Sequence, residues 1–283
     1  MRIPGKIGAL GMEAIASWAK EIGLDAIDLG GPDAQAKAIV EKAGLEVGSV
    51  DIMGPLAGIL TRDEAKRAEA LARAKDELDK MAELGLKTVF TCLIPPDREL
   101  SRRDAFDIFK ESFPEVVAYA EARGISIALE PYPGPAPHYP TLGCTPEMYR
   151  AIFEAIPSQA LGICYDPSHY VRMGIDYLRV LAEFGDRVRH CHGKDTEILR
   201  EGEYLYGHYG PTFGVQVGWS GGNWRYTIPG AGEVNWTKVA AQLRINGYDG
   251  IISIELEDHV YGYTEEAQKQ GIINSLRHLR SVI

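Results

Sequence analysis

Cysteine is scarce in this sequence of 283 residues: the four cysteines stand far apart and form no C-x-x-C pair. This spacing argues against a disulfide framework or a structural zinc site, and it is typical of proteins from a reducing cytoplasm. Long apolar runs are also missing, so no segment reaches the roughly 20 apolar residues that a membrane helix needs. The first ten residues, MRIPGKIGAL, lack the continuous apolar core of a signal peptide. We therefore expect a cytoplasmic protein with no membrane partner.

Positive charge is in deficit as well. Lys and Arg number 30 against 40 Asp and Glu, which gives a formal net charge of −10. Nonspecific nucleic-acid binding relies on neutralising phosphates, so this balance predicts no nucleic-acid partner, although it leaves a local basic cleft open. Hydrophobic residues make up 45% and charged residues 25% of the chain, which is the composition of a globular protein with a packed core.

Short apolar runs alternate with stretches of helical periodicity along most of the chain. Eight β–α units at this length favour a closed parallel barrel over an open sheet. The sequence therefore predicts an α/β fold, a single (β/α)8 TIM barrel over residues 1–283. Residues 2–9 would be its first strand, although Pro4 and Gly5 interrupt that run. The other seven predicted strands are 24–29, 45–51, 87–94, 125–130, 161–165, 187–192 and 251–255.

The stretch from Thr196 to Asn235 departs from this alternation because it contains no convincing helix. It is rich in glycine and in aromatic residues. Loops longer than about 15 residues are usually functional or disordered, and this one is too aromatic for disorder. Because it follows the seventh strand, we interpret it as an insertion or lid at about 196–235 above the barrel mouth. An oligomer contact is the alternative.

The last four predicted strands end in residues that can bind a divalent cation. These residues are Glu130, Asp166, His192 and Glu255. The carboxyl ends of barrel strands face the active site, and a charge there is costly unless it is paired or bound to a cation. Each residue alone has a simpler interpretation, as a salt-bridged carboxylate, a turn cap or a core histidine. Their joint placement predicts a metal site.

Three carboxylates and one imidazole suit a divalent ion that prefers oxygen. Mn²⁺ fits best, with Mg²⁺, Co²⁺ or Zn²⁺ as alternatives. Two remaining positions of a six-coordinate ion could take oxygens of a hydroxy-ketone, whose carbonyl the ion would polarise. This acidifies the neighbouring carbon, and a carboxylate on either face could remove and return its proton. Glu130 and Glu255 come from different strands, so they could approach the substrate from opposite sides.

Five motifs follow one another along nearly the whole chain. Together they resemble the xylose-isomerase-like TIM barrels, a superfamily of sugar and sugar-phosphate isomerases and epimerases with inosose isomerase and dehydratase relatives. The resemblance implies a carbohydrate substrate and the same four metal ligands. Homo-oligomers are common in such folds, so a homo-oligomer is expected by analogy alone. The motifs are ALEP at 128–131, YDPSH at 165–169, HCHGKD at 190–195, PGAGEVNW at 229–236 and SIELED at 253–258.

In the epimerase branch, the resemblance also implies that Glu130 and Glu255 act as the catalytic acid/base pair. It further implies substrate-binding residues. His169 matches a position that contacts substrate, and Lys194 and Asp195 match an H-x-K-D pattern near the substrate. Arg225 lies before the PGxGE segment, where epimerases often place a substrate-binding arginine.

Two features depart from many members of the superfamily. The loop at 196–228 is longer, and Tyr132, His138 and Tyr139 add aromatic bulk after the fifth strand. Both predict a substrate that is larger or more hydrophobic than a free pentose.

These observations predict a divalent-metal-dependent isomerase or epimerase of a sugar or keto-polyol, which works through proton abstraction next to a carbonyl and a metal-bound enediolate. The alternative is a lyase with the same site, either a keto-inositol dehydratase or an enzyme that eliminates the aglycone of an oxidised glycoside. A phosphodiesterase resembling AP endonucleases would need further histidines, which the runs 45–51 and 87–94 do not supply at their ends. A non-catalytic sugar-binding barrel would require a decayed ligand set.

Overall fold

A computed structural model of the chain describes residues 1–134 and 140–283. His138 and Tyr139, two of the aromatic residues named above, lie outside the described residues. Across the described ranges, every helix is too short or too polar to cross a membrane.

Seven parallel strands form one sheet, in which β1 to β6 lie side by side in chain order and β9 follows β6. Apolar residues fill these strands and most are buried, as in parallel sheets that are covered on both faces. The seven strand predictions from 24–29 to 251–255 are therefore confirmed. The nine strands of the described residues are β1 (Ala26–Leu29), β2 (Glu46–Asp51), β3 (Thr88–Thr91), β4 (Ser126–Leu129), β5 (Leu161–Tyr165), β6 (Val188–Gly193), β7 (Asp195–Ile198), β8 (Trp224–Thr227) and β9 (Ile252–Ile254).

The gap between β9 and β1 is bridged by the first residues of the chain. The Arg2 amide donates to the Ile254 carbonyl at 3.0 Å, and the Asp28 amide donates to the Met1 carbonyl at 2.9 Å. The predicted strand at 2–9 is wrong beyond this point, because Gly5–Gly8 is helical. Pro4 has no amide hydrogen to donate to a ladder, and it precedes the first helical residue instead. The result is the nearly closed α/β barrel, a TIM barrel, that the sequence predicts.

Helices connect successive strands and cover the outside of the barrel. Side-chain caps explain where several of them begin: the Thr145 hydroxyl, for example, accepts a hydrogen bond from the Met148 amide. Pro114 lies inside a helix that runs through it without a break. The helices are α1 (Gly5–Gly8), α2 (Met12–Glu21), α3 (Ala34–Lys42), α4 (Met53–Gly58), α5 (Glu64–Glu83), α6 (Arg102–Glu121), α7 (Pro146–Ala155), α8 (Pro167–Met173), α9 (Tyr177–Phe184), α10 (Arg200–Tyr206), α11 (Trp236–Ile245) and α12 (Glu265–Val282), with a 3₁₀ turn at Gly185–Arg187.

The stretch after β6 folds into a hairpin that carries a short helix. β7 pairs antiparallel with β8, from Asp195 opposite Thr227 to Ile198 opposite Trp224, and α10 lies between the two strands. The expectation that this stretch contains no helix is therefore wrong. Helix α10 has only seven residues, too few for a clear apolar periodicity, and its Gly202 packs directly on the Gly222 carbonyl.

Candidate active site

The four strand-end residues predicted as metal ligands lie close together at the carboxyl ends of β4, β5, β6 and β9. The backbone fixes two of them: the Glu130 amide donates to the Thr91 carbonyl at 2.9 Å, and the Glu255 amide donates to the Gly193 carbonyl at 3.4 Å. His192 Nδ1 lies 2.6 Å from Glu130 Oε1 and 3.4 Å from Glu255 Oε2. Ligand atoms of Glu130, Asp166, Glu255 and also His169 lie within 4.8 Å of one another, and His192 forms a second such group with Glu130 and Cys164. We name Glu130, Asp166, His192 and Glu255 the carboxylate cluster.

His169 belongs to the same site and is positioned by Asp166. Asp166 Oδ1 accepts from the Ser168 amide at 2.9 Å and so caps helix α8, which carries His169 in its first turn. His169 Nε2 then lies 3.4 Å from Asp166 Oδ2 and 3.7 Å from Glu130 Oε1. Its other ring nitrogen, Nδ1, is 2.7 Å from the Tyr226 hydroxyl. His169 therefore faces the carboxylates and is held in place from the hairpin side.

Lys194 places a buried ammonium among these carboxylates. Its Nζ lies 2.5 Å from Glu255 Oε2, 3.0 Å from Glu257 Oε2 and 3.3 Å from Asp166 Oδ2. Burial on its own would lower the pKa of Lys194, but the surrounding carboxylates, Glu255 foremost, raise it well above its usual range. Lys194 is therefore a cation that offsets part of the negative charge of the cluster. The family resemblance placed Lys194 near the substrate, but the sequence did not indicate that its ammonium contacts Glu255, Glu257 and Asp166.

Two further groups hold the catalytic candidates Glu130 and Glu255. Arg2 Nε lies 3.1 Å from Glu255 Oε1, and the Cys92 thiol donates to Glu130 Oε2 at 3.2 Å. Burial would raise the pKa of both carboxyls, but Lys194 lowers that of Glu255, and His192 lowers that of Glu130 well below its usual range. Both are thus carboxylates that can accept a proton. The sequence did not identify Arg2, because its contact with Glu255 arises only when the first residues close the barrel beside β9.

Asp195 holds the loop that follows β8. Its Oδ1 accepts from the Thr196 and Val234 amides at 2.8 and 3.0 Å. Its Oδ2 accepts from the Gly230 amide at 3.0 Å and from Trp236 Nε1 at 3.1 Å. These four bonds occupy the carboxylate that the family resemblance placed near the substrate. They support a positioning role for Asp195.

Arg225 is engaged within the hairpin, where its Nε donates to Glu197 Oε2 on the opposite strand at 2.5 Å. A different arginine lies beside the site. Arg172, in α8, donates to the Tyr226 hydroxyl at 2.9 Å, and its guanidinium lies 4.2 Å from the centre of the Trp224 ring. The only sequence signal for this contact was the aromatic content of the insertion.

The carboxylate cluster fits a divalent ion in its geometry and its chemistry. Three carboxylates and the imidazole nitrogens of His169 and His192 supply buried donor atoms of the kind that a divalent cation binds. Neighbouring ligands of a six-coordinate ion with bonds near 2.1 Å stand roughly 3.0 Å apart. The distances of 2.6 and 3.4 Å from His192 Nδ1 to the two glutamates bracket that value.

A second buried group, made of Asp28, His190 and His192, lies deeper in the barrel. Its carboxylate already accepts hydrogen bonds, from the Ser49 amide on one oxygen and from the Ser253 hydroxyl on the other. The Asp28 carboxylate is therefore satisfied by hydrogen bonds, whereas His190 Nε2 is a buried atom without a hydrogen-bond partner among the described residues.

Comparisons with known proteins agree with this architecture. The family model described as xylose isomerase-like TIM barrel matches residues 6–282. The protein YfiH of Bacillus subtilis is 30% identical over 173 residues, which cover 60% of this chain and 50% of YfiH. Inosose dehydratase of Lacticaseibacillus casei is 28% identical over 113 residues, 40% of this chain and 36% of that enzyme. The chain thus spans half or less of the length of these curated relatives.

Two solved structures show the same fold over nearly the whole chain. Mannonate dehydratase from Streptococcus suis serotype 2 has a TM-score of 0.72 at 15% identity and covers 99% of this chain and 93% of its own. D-Psicose 3-epimerase from Clostridium cellulolyticum H10 has a TM-score of 0.69 at 16% identity and covers 99% and 95%. At such identities the likeness concerns the fold alone.

Proposed function

We propose, because the chain belongs to the xylose isomerase-like TIM barrel family, that it is an isomerase or epimerase of a sugar or keto-polyol. The observation that carries the proposal is the convergence of two buried carboxylates, Glu130 and Glu255, on His192 from different strands. Epimerases and dehydratases among the similar proteins support an enzyme that acts on a small carbohydrate.

The residues of the carboxylate cluster have two roles in this proposal, metal binding and proton transfer. Glu130, Asp166, His192 and Glu255 would hold one divalent ion, with Mn²⁺ as our first candidate. When bound, such an ion polarises a substrate carbonyl and acidifies the neighbouring C–H bond. Glu130 and Glu255, ionised and oriented by Cys92 and Arg2, remove the proton on one face and return it on the same or the other face.

His169 and Lys194 bind the substrate in this proposal. The His169 ring is held at Nδ1 by the Tyr226 hydroxyl, which leaves Nε2 directed at the cluster. Lys194 presents an ammonium 3.4 Å from that Nε2. The pair can therefore hydrogen-bond to neighbouring substrate oxygens, while the insertion excludes water from one side.

Elimination is the second candidate, and the position of Lys194 favours it. An ammonium beside the two bases can give a proton to a leaving hydroxyl or glycosidic oxygen, a step that epimerisation does not need. The matches to inosose dehydratases agree with this alternative. Product analysis separates the two, because an epimerase yields an isomer of its substrate and a lyase releases water or an aglycone.

The metal site is tested by elemental analysis of purified protein. We expect about one divalent ion per chain in the wild type after incubation with Mn²⁺, and at least a tenfold lower content in Glu255→Gln, which loses a charged ligand. Glu46→Gln is the matched control, since Glu46 is an exposed residue at the opposite end of a barrel strand. A wild type that retains no Mn²⁺, Co²⁺ or Zn²⁺ would contradict the ligand assignment.

Metal binding should weaken as the pH falls. Burial would lower the pKa of His192, but Cys164, Glu255 and Glu130 raise it well above its usual value, so the imidazole is protonated in the metal-free protein. An ion can bind its nitrogen only after the proton leaves, so binding releases about one proton per ion. Calorimetric titration with Mn²⁺ at pH 6, 7 and 8, in buffers of different ionisation enthalpy, measures both effects. A pH-independent affinity without proton release would contradict the role of His192.

A further inference from the structure

A pocket with aromatic walls opens beside the carboxylate cluster. It has a volume of about 470 Å³ and is formed by the insertion, by helix α8 and by the segments that follow β4 and β9. We call it the aromatic pocket and define it by six of its lining residues. They are Tyr132, Arg172, Trp219, Trp224, Tyr226 and Glu257.

The aromatic pocket adjoins the reaction centre but does not contain it. None of Glu130, Asp166, His192 and Glu255 lines it within the described residues. Tyr226 and Glu257 form the shared wall: the Tyr226 hydroxyl meets His169 at 2.7 Å, and Glu257 meets the Lys194 ammonium at 3.0 Å. A sugar ring bound at the cluster would therefore leave the pocket for a substituent of that sugar.

The aromatic walls are held in fixed positions. The centre of the Trp224 ring lies 4.7 Å from the centre of the Tyr226 ring and 4.2 Å from the Arg172 guanidinium. This aromatic neighbour and the cation over the ring restrict its rotation. Trp224 therefore offers a largely preformed surface.

Trp219 fixes the far side of the pocket to the segment after β9. Its ring lies 5.4 Å from the Tyr263 ring and fills the space where a Cβ at Gly262 would stand. Its φ is +55°, and it is the one non-glycine residue of the described chain with a positive φ. A bulky side chain in this region is strained, and such strain is concentrated at binding sites.

The chemistry of the walls points to a ring. Aromatic faces pack on the apolar faces of sugars and on other aromatic rings, and the polar Gln216, Ser220 and Asn223 at the same pocket can bind hydroxyl groups. The volume lies within the roughly 300–1,000 Å³ that is usual for small-molecule pockets. A free pentose at the cluster would make no use of this space.

We propose that the aromatic pocket binds the aglycone ring of a glycoside whose oxidised sugar lies on the carboxylate cluster. The substrate class is thus a keto-glycoside rather than a free sugar. This inference rests on the proposed function, because it takes the cluster as the place of the reacting sugar. The aglycone is a hydroxylated ring, either a phenolic group or a second sugar.

The test compares the binding of unreactive glucosides to the Mn²⁺-supplemented protein by tryptophan fluorescence. The probes are methyl β-glucoside, phenyl β-glucoside and cellobiose, which share one sugar ring and differ in the second group. We expect phenyl β-glucoside or cellobiose to bind about tenfold more tightly than methyl β-glucoside. Tighter phenyl β-glucoside assigns a phenolic aglycone, and tighter cellobiose assigns a second sugar. Equal affinities of all three, or no binding, would overturn the proposal.

Variants then locate the preference. Trp224→Ala should abolish the preference for the larger glucosides and leave methyl β-glucoside binding unchanged. Trp219→Ala should weaken the same preference, and it provides the test if Trp224→Ala does not fold. Phe213→Ala is the matched control, because Phe213 belongs to the same insertion but is 98% exposed. A preference that survives in folded Trp224→Ala and Trp219→Ala would also overturn the proposal.

Exchange of deuterium from the solvent into free keto-sugars tests proton abstraction at the carboxylate cluster independently of binding in the aromatic pocket. Exchange without a ring preference rejects the subsite alone. A ring preference without exchange into any candidate rejects the proposed function alone, because ring binding does not require proton abstraction.

Discussion

Glu255→Gln should slow proton exchange at the carbon next to the substrate carbonyl by roughly two to four orders of magnitude. The substitution removes one of two proton acceptors and the charge that faces His192, Lys194 and Arg2. Glutamine keeps the shape but cannot take a proton, so the loss should appear in kcat more than in KM. The measurement is deuterium incorporation in D₂O, followed by NMR over a panel of keto-sugars, inososes and oxidised glycosides with Mn²⁺ present.

The control for this prediction is again Glu46→Gln, which should exchange at the wild-type rate. Thermal unfolding of each variant shows that a loss of activity is not a loss of fold. A Glu255→Gln protein that is folded and exchanges deuterium at more than about one tenth of the wild-type rate would contradict the acid–base assignment. Glu130→Gln should behave alike, and a difference between the two variants would assign the first proton abstraction to the residue with the larger loss.

Asp195→Ala should lower the free energy of unfolding by about 3–4 kcal/mol. The buried carboxylate accepts four hydrogen bonds, three from backbone amides and one from Trp236, and alanine leaves all four donors unpaired. The hairpin should also lose its fixed position, because Gly232 lies so close to Asp195 that a Cβ there would stand 2.3 Å from Oδ1. Denaturant unfolding measures the loss of stability.

Asp25→Ala is the matched control for Asp195. The Asp25 side chain is 88% exposed and forms a surface pair with Arg280, so its removal should change the free energy of unfolding by less than about 0.5 kcal/mol. The loss of unfolding free energy in Asp195→Asn should lie between those of Asp195→Ala and Asp25→Ala, because an amide keeps one acceptor oxygen and replaces the other with a donor. If Asp195→Ala proved as stable as Asp25→Ala, the carboxylate would not be what holds the loop.

The sequence determined most of the barrel by itself. Strand and helix periodicities placed seven strands and most of the longer helices, because these elements depend on local patterns and caps such as Thr145. It also indicated the cluster. Parallel strands of a barrel bring their carboxyl ends to one rim, so residues at strand ends, such as Glu130 and Glu255, must come near one another whatever lies between them.

The local patterns were weaker in two segments. Residues 2–9 contain an apolar pattern, yet only the first of them pair with β9 and β1, and Gly5–Gly8 turn into a helix after Pro4. Helix α10 has too few residues to show a period. In both segments the conformation depends on tertiary contacts of the backbone and not on the local sequence pattern alone.

Only the tertiary structure decided which groups surround the cluster. Lys194 meets Glu255 from 61 residues away, and Arg2 meets the same carboxylate from the opposite end of the chain. Arg172 and Tyr226 are 54 residues apart and meet because the hairpin folds back onto helix α8. Such contacts depend on the closure of the barrel and on the direction of each side chain, and neither leaves a periodic trace in the sequence. The strand ends are determined locally, whereas the charge balance of the site and its aromatic wall are produced by packing.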